Sequence, residues 1–106
     1  MSKQQESLGG QEEELHYEIM ENGDVIEISG GETRLLKIGA QIYQRLGGED
    51  WKEDEARNLL SQGTELRPRS MAISVNRGKL YVDTRNFRGN IERKKMILET
   101  VKSLLE

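Results

Sequence analysis

Apolar residues recur along this chain with two periods, and the switches between them mark out its elements. From Leu15 to Met20 the alternation is that of a strand, with Tyr17 and Ile19 on one face. Glu21-Asn22-Gly23-Asp24 follows, and Asn-Gly predicts a type I′ hairpin turn because both residues tolerate positive φ. Val25 to Ile28 reads as the return strand. The period then lengthens. Leu35, Ile38, Ile42 and Leu46 form a helical stripe, with Leu36 and Tyr43 beside it. Ser29 and Glu32 have capping-box spacing at its start, and Thr33 is an equally good cap. Gly39 costs about 1 kcal/mol against alanine in a helix interior, so it suggests close packing on the sheet. Gly47-Gly48 ends the helix.

A second helix is predicted from Asp50, with Glu53 at capping-box spacing and Trp51, Ala56, Leu59 and Leu60 as its buried residues. Glu49, Asp50, Glu53 and Asp54 suit the positive end of its dipole, and Gly63 ends it. A connector, Thr64 to Ser70, holds the only proline, Pro68. Met71, Ile73 and Val75 alternate as a third strand. Asn76-Arg77-Gly78 suggests a three-residue loop with Gly78 left-handed, and Leu80 to Thr84 forms the fourth strand. Asn90 caps a last helix whose face carries Ile97, Leu98, Val101, Leu104 and Leu105.

The order β-β-α-α-β-β-α predicts an α+β fold, a four-stranded, mainly antiparallel sheet with helices packed on one face. Residues 1–14 are polar and end in Glu12-Glu13-Glu14, so they read as a disordered acidic tail before a single domain at 15–106. The two hairpin-then-helix halves hint at duplication, but their side chains do not align at a fixed offset.

Composition narrows the function classes. The chain has 106 residues, 34% of them hydrophobic, so its core is thin and self-association would add stability. With no cysteine, disulfides, thiolate catalysis and Cys-based zinc sites are excluded. No apolar run approaches membrane-spanning length and the N-terminus lacks a signal pattern, so a soluble cytoplasmic protein is expected. His16 is the only histidine, so a His-based triad or a two-His metal site within one chain is not expected. No carboxylates stand out as a general acid/base pair, and no cofactor motif is present. Gly30-Gly31 lacks the Lys-Ser/Thr of a phosphate loop and reads as a tight turn. The run Glu49-Asp50-Glu53-Asp54-Glu55 lacks the calcium-loop pattern.

Charge supplies the one candidate site. Residues 1–63 hold 6 Lys/Arg against 14 Asp/Glu, and residues 64–106 hold 10 against 5, balances of −8 and +5. Cations crowd the start of the last helix, where sequences usually place carboxylates. Arg85 and Arg88 precede it, and Arg93, Lys94 and Lys95 lie in or just past its first turn. An anion docked at the free amides there would reverse that penalty. Arg67, Arg69, Arg77 and Lys79 would extend the patch if they fold nearby. The expectation is a non-enzymatic binding module whose basic half contacts an anionic partner, DNA or RNA ahead of an acidic protein. Phe87 would stack on a base or, more commonly, fill the core beneath the last helix. The competing readings are that these cations are solvated or meet the chain's own acidic half. In that case a protein-interaction module, as homodimer or adaptor, is the alternative, and a small-ligand domain with a sheet–helix groove is a third.

Overall fold

Two hairpins join side by side into one sheet because each carries a row of β-branched and leucine side chains on the same face. The computed structural model describes residues 15–20, 23–87 and 89–105. The expected tail at 1–14, Asn22, Arg88 and the Phe87 side chain lie outside the described residues. Strands β1 (His16–Met20), β2 (Val25–Ser29), β3 (Ala72–Asn76) and β4 (Lys79–Asp83) are arranged β1-β2-β4-β3, all antiparallel. Ile26 pairs with Val82 and Ile28 with Leu80, while Ile73 and Val75 face the same two residues from the other side. This set points into the core. A slip of one residue would turn it to solvent, which fixes the register.

The two hairpins exchange the turn types that the sequence predicts. At the first, the amides of Gly23 and Asp24 both donate to the Met20 carbonyl, each at 3.1 Å, and Gly23 has φ +90°. That is a three-residue loop with a glycine bulge. At the second, Asn76 pairs with Lys79 across only Arg77 and Gly78, with φ +55° and +77°. That is the two-residue type I′ turn. Arg77 accepts the left-handed conformation because the inward register of Ile73, Val75, Leu80 and Val82 leaves no third loop residue.

Helix α1 (Glu32–Arg45) buries Leu35, Ile38, Ile42 and Tyr43, with Leu46 just beyond it, and packs on β3, β4 and the other two helices. Its N-cap is Gly31, without a side-chain bond, rather than Ser29 or Thr33. Ser29 stays in β2, opposite His16 and Lys79. The helix closes in a Schellman arrangement: the Gly48 amide donates to the Tyr43 carbonyl at 2.8 Å and Gly47 has φ +105°.

Helix α2 (Glu53–Ser61) starts three residues later than Asp50. The Asp50 amide instead donates to the Tyr43 hydroxyl at 3.0 Å, and the Lys52 amide donates to Glu55 at 3.1 Å, half of a capping box. Ending the connection this way leaves Trp51 exposed, contrary to its predicted burial, while Ala56 and Leu60 are buried. Between the helices, Leu66 and Ile73 exchange backbone bonds of 2.8 and 2.7 Å, adding one residue of cover to the outer edge of β3.

Helix α3 (Ile91–Leu105) is capped as predicted, with Asn90 Oδ1 accepting the Arg93 amide at 3.0 Å. Ile97 and Val101 are fully buried. It leans on α1 and on the 3₁₀ turn Arg85–Phe87. Helices α1 and α2 therefore gather over the β3–β4 side of the sheet.

Gly39 marks a close seam between α1, α2 and β4. A Cβ there would lie 2.8 Å from Leu60 Cδ1 and 3.1 Å from Leu80 Cδ1. Both leucines are buried, so Gly39→Val is expected to cost about 2–3 kcal/mol by overpacking. Urea unfolding with an unchanged m-value measures it, and wild-type stability would contradict the seam.

Candidate functional site

The cations singled out by sequence split into two groups. Arg77 and Lys79 lie at the tip of the second hairpin, and Arg85 follows β4 at its other end. Lys79 to Asp83 spans four residue steps, about 13 Å of strand. Arg67 and Arg69 lie on the connector beside the start of β3, at the Arg85 end, and Arg93 and Lys94 lie in the first turn of α3. Arg88 lies outside the described residues.

Most of these side chains already serve the fold. Arg67 pairs with Glu65 at 2.6 Å and Lys79 with Glu27 at 3.5 Å. Arg69, itself at φ +52°, lays its side chain across Gly47, where a Cβ would sit 2.2 Å from Arg69 Nε. The φ of +105° at Gly47 favours glycine there, and the arginine lies at the negative end of α1. Arg93 is half-buried. Arg77 is exposed on its turn.

Arg85 donates from Nε and Nη2 to the Asp83 carboxylate, at 3.0 and 2.6 Å, and its amide donates to the same group. These bonds hold the Asp83 carboxyl below its ordinary value of 3.8, with burial offsetting part of the effect.

Lys94 is the deepest of the set. Its Nζ meets Asp24 Oδ1 at 2.5 Å, with side chains 19% and 4% exposed. Asp24 sits at the mouth of the first hairpin, and its carbonyl accepts from both the amide and the hydroxyl of Thr84, each at 2.7 Å. One residue thus joins the β1–β2 hairpin, the end of β4 and the start of α3. The cation at the helix start has a carboxylate waiting for it in the acidic half, 70 residues earlier.

The sequence reading missed the apolar feature beside this pair. Because α3 leans on α1, the helix-facing side of β1 is left open. Tyr17 is 40% exposed, Ile19 47% and Ile91, at the first position of α3, 76%. Between β1 and α3 runs a groove of about 250 Å³ walled by Ile19, Ile26, Ile91 and Leu98, with Lys94 and Lys95 along one side. Ile91 lies two turns before Leu98 on the same side of α3, and this continuation of the apolar face into the cation-rich helix start is the signal available in the sequence.

Among the described residues no three His, Cys, Asp or Glu side chains gather to hold a metal ion, and no helix is long and apolar enough to cross a membrane. No protein-family model, curated protein or solved structure matches the chain.

Two measurements test these contacts. Lys94→Met should cost about 2–3 kcal/mol, less than the ~3–5 for breaking a fully buried pair, because Lys94 keeps some water contact. In an Asp24→Asn background the same substitution should cost at least about 1 kcal/mol less, since the pair is then already broken; denaturant melts that show no coupling would contradict the pair. For Asp83, a depressed folded pKa means its stabilisation is present above the ordinary 3.8 and is lost as pH falls through the folded value. Arg85→Gln should move the Asp83 titration midpoint upward, read from its carboxyl carbon by NMR. An unmoved midpoint would exclude Arg85 as the cause.

Proposed function

We propose that the protein is a non-enzymatic protein-interaction module that takes an extended apolar segment along β1 and into the β1–α3 groove. The carrying observation is the coincidence of an edge strand with open apolar side chains and an apolar groove directly beside it. Strand addition uses such a pair: main-chain bonds at the edge hold the segment, and alternate side chains enter the groove. The nucleic-acid reading draws less support. Arg67, Lys79, Arg85 and Lys94 each hold a carboxylate of the chain itself, and releasing them would offset the gain from phosphate contacts. A small-ligand site fits less well, since the groove's volume falls below the ~300–1,000 Å³ typical of such pockets and few polar groups converge in it. The proposed setting is the cytoplasm, where a cysteine-free interaction domain needs no oxidative environment.

Selection of peptides from a random library on the immobilised chain, followed by amide NMR, tests this reading. Selected peptides should alternate apolar residues, shift the amides of Tyr17, Ile19 and Ile91 to Leu98, and lose binding at least tenfold in Ile91→Lys. The reading fails if no peptide maps to this surface. It also fails if mixed DNA or RNA binds instead at about 50 mM salt and is released at about 200 mM.

A further inference from the structure

The sheet's two edges are treated differently. The outer edge of β3 is partly closed by the Leu66 bridge, and Pro68 follows it in the connector. Such devices guard an edge against pairing with another chain. Among the described residues nothing lies on the far side of β1. The direction of its backbone groups follows from the hairpin. The Met20 carbonyl points toward β2, accepting from Gly23 and Asp24. Alternation along the strand then turns the polar groups of Glu18 and His16 toward β2, and those of Tyr17 and Ile19 outward.

Resting on the interaction reading above, we infer that the segment β1 takes is the β1 strand of a second copy, paired antiparallel about a two-fold axis at Tyr17. The sequence of the strand selects this register. With Tyr17 opposite Tyr17, each His16 faces the second copy's Glu18 and each Leu15 faces the second copy's Ile19. Opposite partners are thus imidazole with carboxylate on the open face and apolar with apolar on the helix face. His16 and Glu18 are both exposed and available for this. A register one residue further on would set Glu18 against Glu18, a like-charge pair. The Tyr17 register also uses the backbone groups that point outward, and it brings the second copy's Leu15 beside Ile19 at the mouth of the groove. The product is one eight-stranded sheet with all helices on one face. The strand has only five residues, so the contact lies toward the small end of specific interfaces, below about 1,200 Å², and the dimer is weak and concentration-dependent.

The experiment uses the full chain. Sedimentation velocity from micromolar to millimolar concentration should show a monomer passing to a dimer. Tyr17→Lys, which sets two ammonium groups face to face on the axis, should raise the dissociation constant at least tenfold with unchanged circular dichroism. Register is read from single-cysteine variants, each thiol being unique in this chain. Opposed strand residues lie about 4.5–5.5 Å apart between Cα atoms, within disulfide range, so Tyr17→Cys should give a covalent dimer on mild oxidation faster than Glu18→Cys. A wild-type monomer at millimolar concentration overturns the inference, and so does faster linking through Glu18→Cys. If the chain stays monomeric but still binds library peptides at β1, the inference falls and the interaction reading stands. If it does neither, both fall.

Discussion

The contact between Lys94 and Asp24 sets the geometry on which the rest of this structure depends. Its two side chains are both largely withdrawn from water, whereas Arg57–Asp54, Arg67–Glu65, Lys79–Glu27 and Arg85–Asp83 each keep a well-exposed partner. Withdrawing a carboxylate this far is costly unless its charge is matched, so Asp24 holds the first turn of α3 at the hairpin mouth. Thr84 adds two bonds to the Asp24 carbonyl and brings in the end of β4. With its N-terminal turn held here and Ile97 and Val101 buried further along, α3 leans on α1 and leaves β1 uncovered.

That constraint has two consequences. The basic half of the chain is drawn against the acidic half, through Lys94 to Asp24 and Lys79 to Glu27. The strong charge asymmetry along the sequence therefore becomes an internal attraction before it is a surface field. The second consequence is geometric. Helices α1 and α2 cover β3 and β4, while Tyr17, Ile19 and Ile91 remain open towards the β1 edge. Among the described residues these three form a strip bounded by a strand edge, while Trp51 and Met96 are the other large apolar side chains left exposed.

Much of the architecture was legible because the apolar periods are clear. The stripe Leu35, Ile38, Ile42 and Leu46, the alternation of Ile73 and Val75, and the Asn90 cap all appear where the pattern puts them. Gly39 was legible as a close approach, because a glycine in a helix interior needs a neighbour to justify it. The hairpin turns were not. Asn-Gly favours a two-residue turn locally, but inward-facing registers on both strands decide how many residues remain for the loop. Trp51 was misplaced because the predicted helix start at Asp50 gave way to the bond between the Asp50 amide and the Tyr43 hydroxyl.

The candidate site was legible only as an anomaly. Cations at a helix start call for negative charge, and Lys94 meets it in the chain's own Asp24. The sequence could not say that the charge was Asp24, because their meeting depends on strand order, which no local pattern encodes. The same ignorance hid the groove, since it forms between elements about 70 residues apart. The most direct measurement is of the side-chain ammonium resonances of Lys94 and Lys95 by NMR at neutral pH and low temperature. Lys94 should show a slowly exchanging ammonium correlated with the Asp24 carboxylate, while that of Lys95 exchanges with water too fast to be seen. Equal, rapid exchange at both would mean that α3 is not anchored at the hairpin, and the account built on that anchor would be wrong.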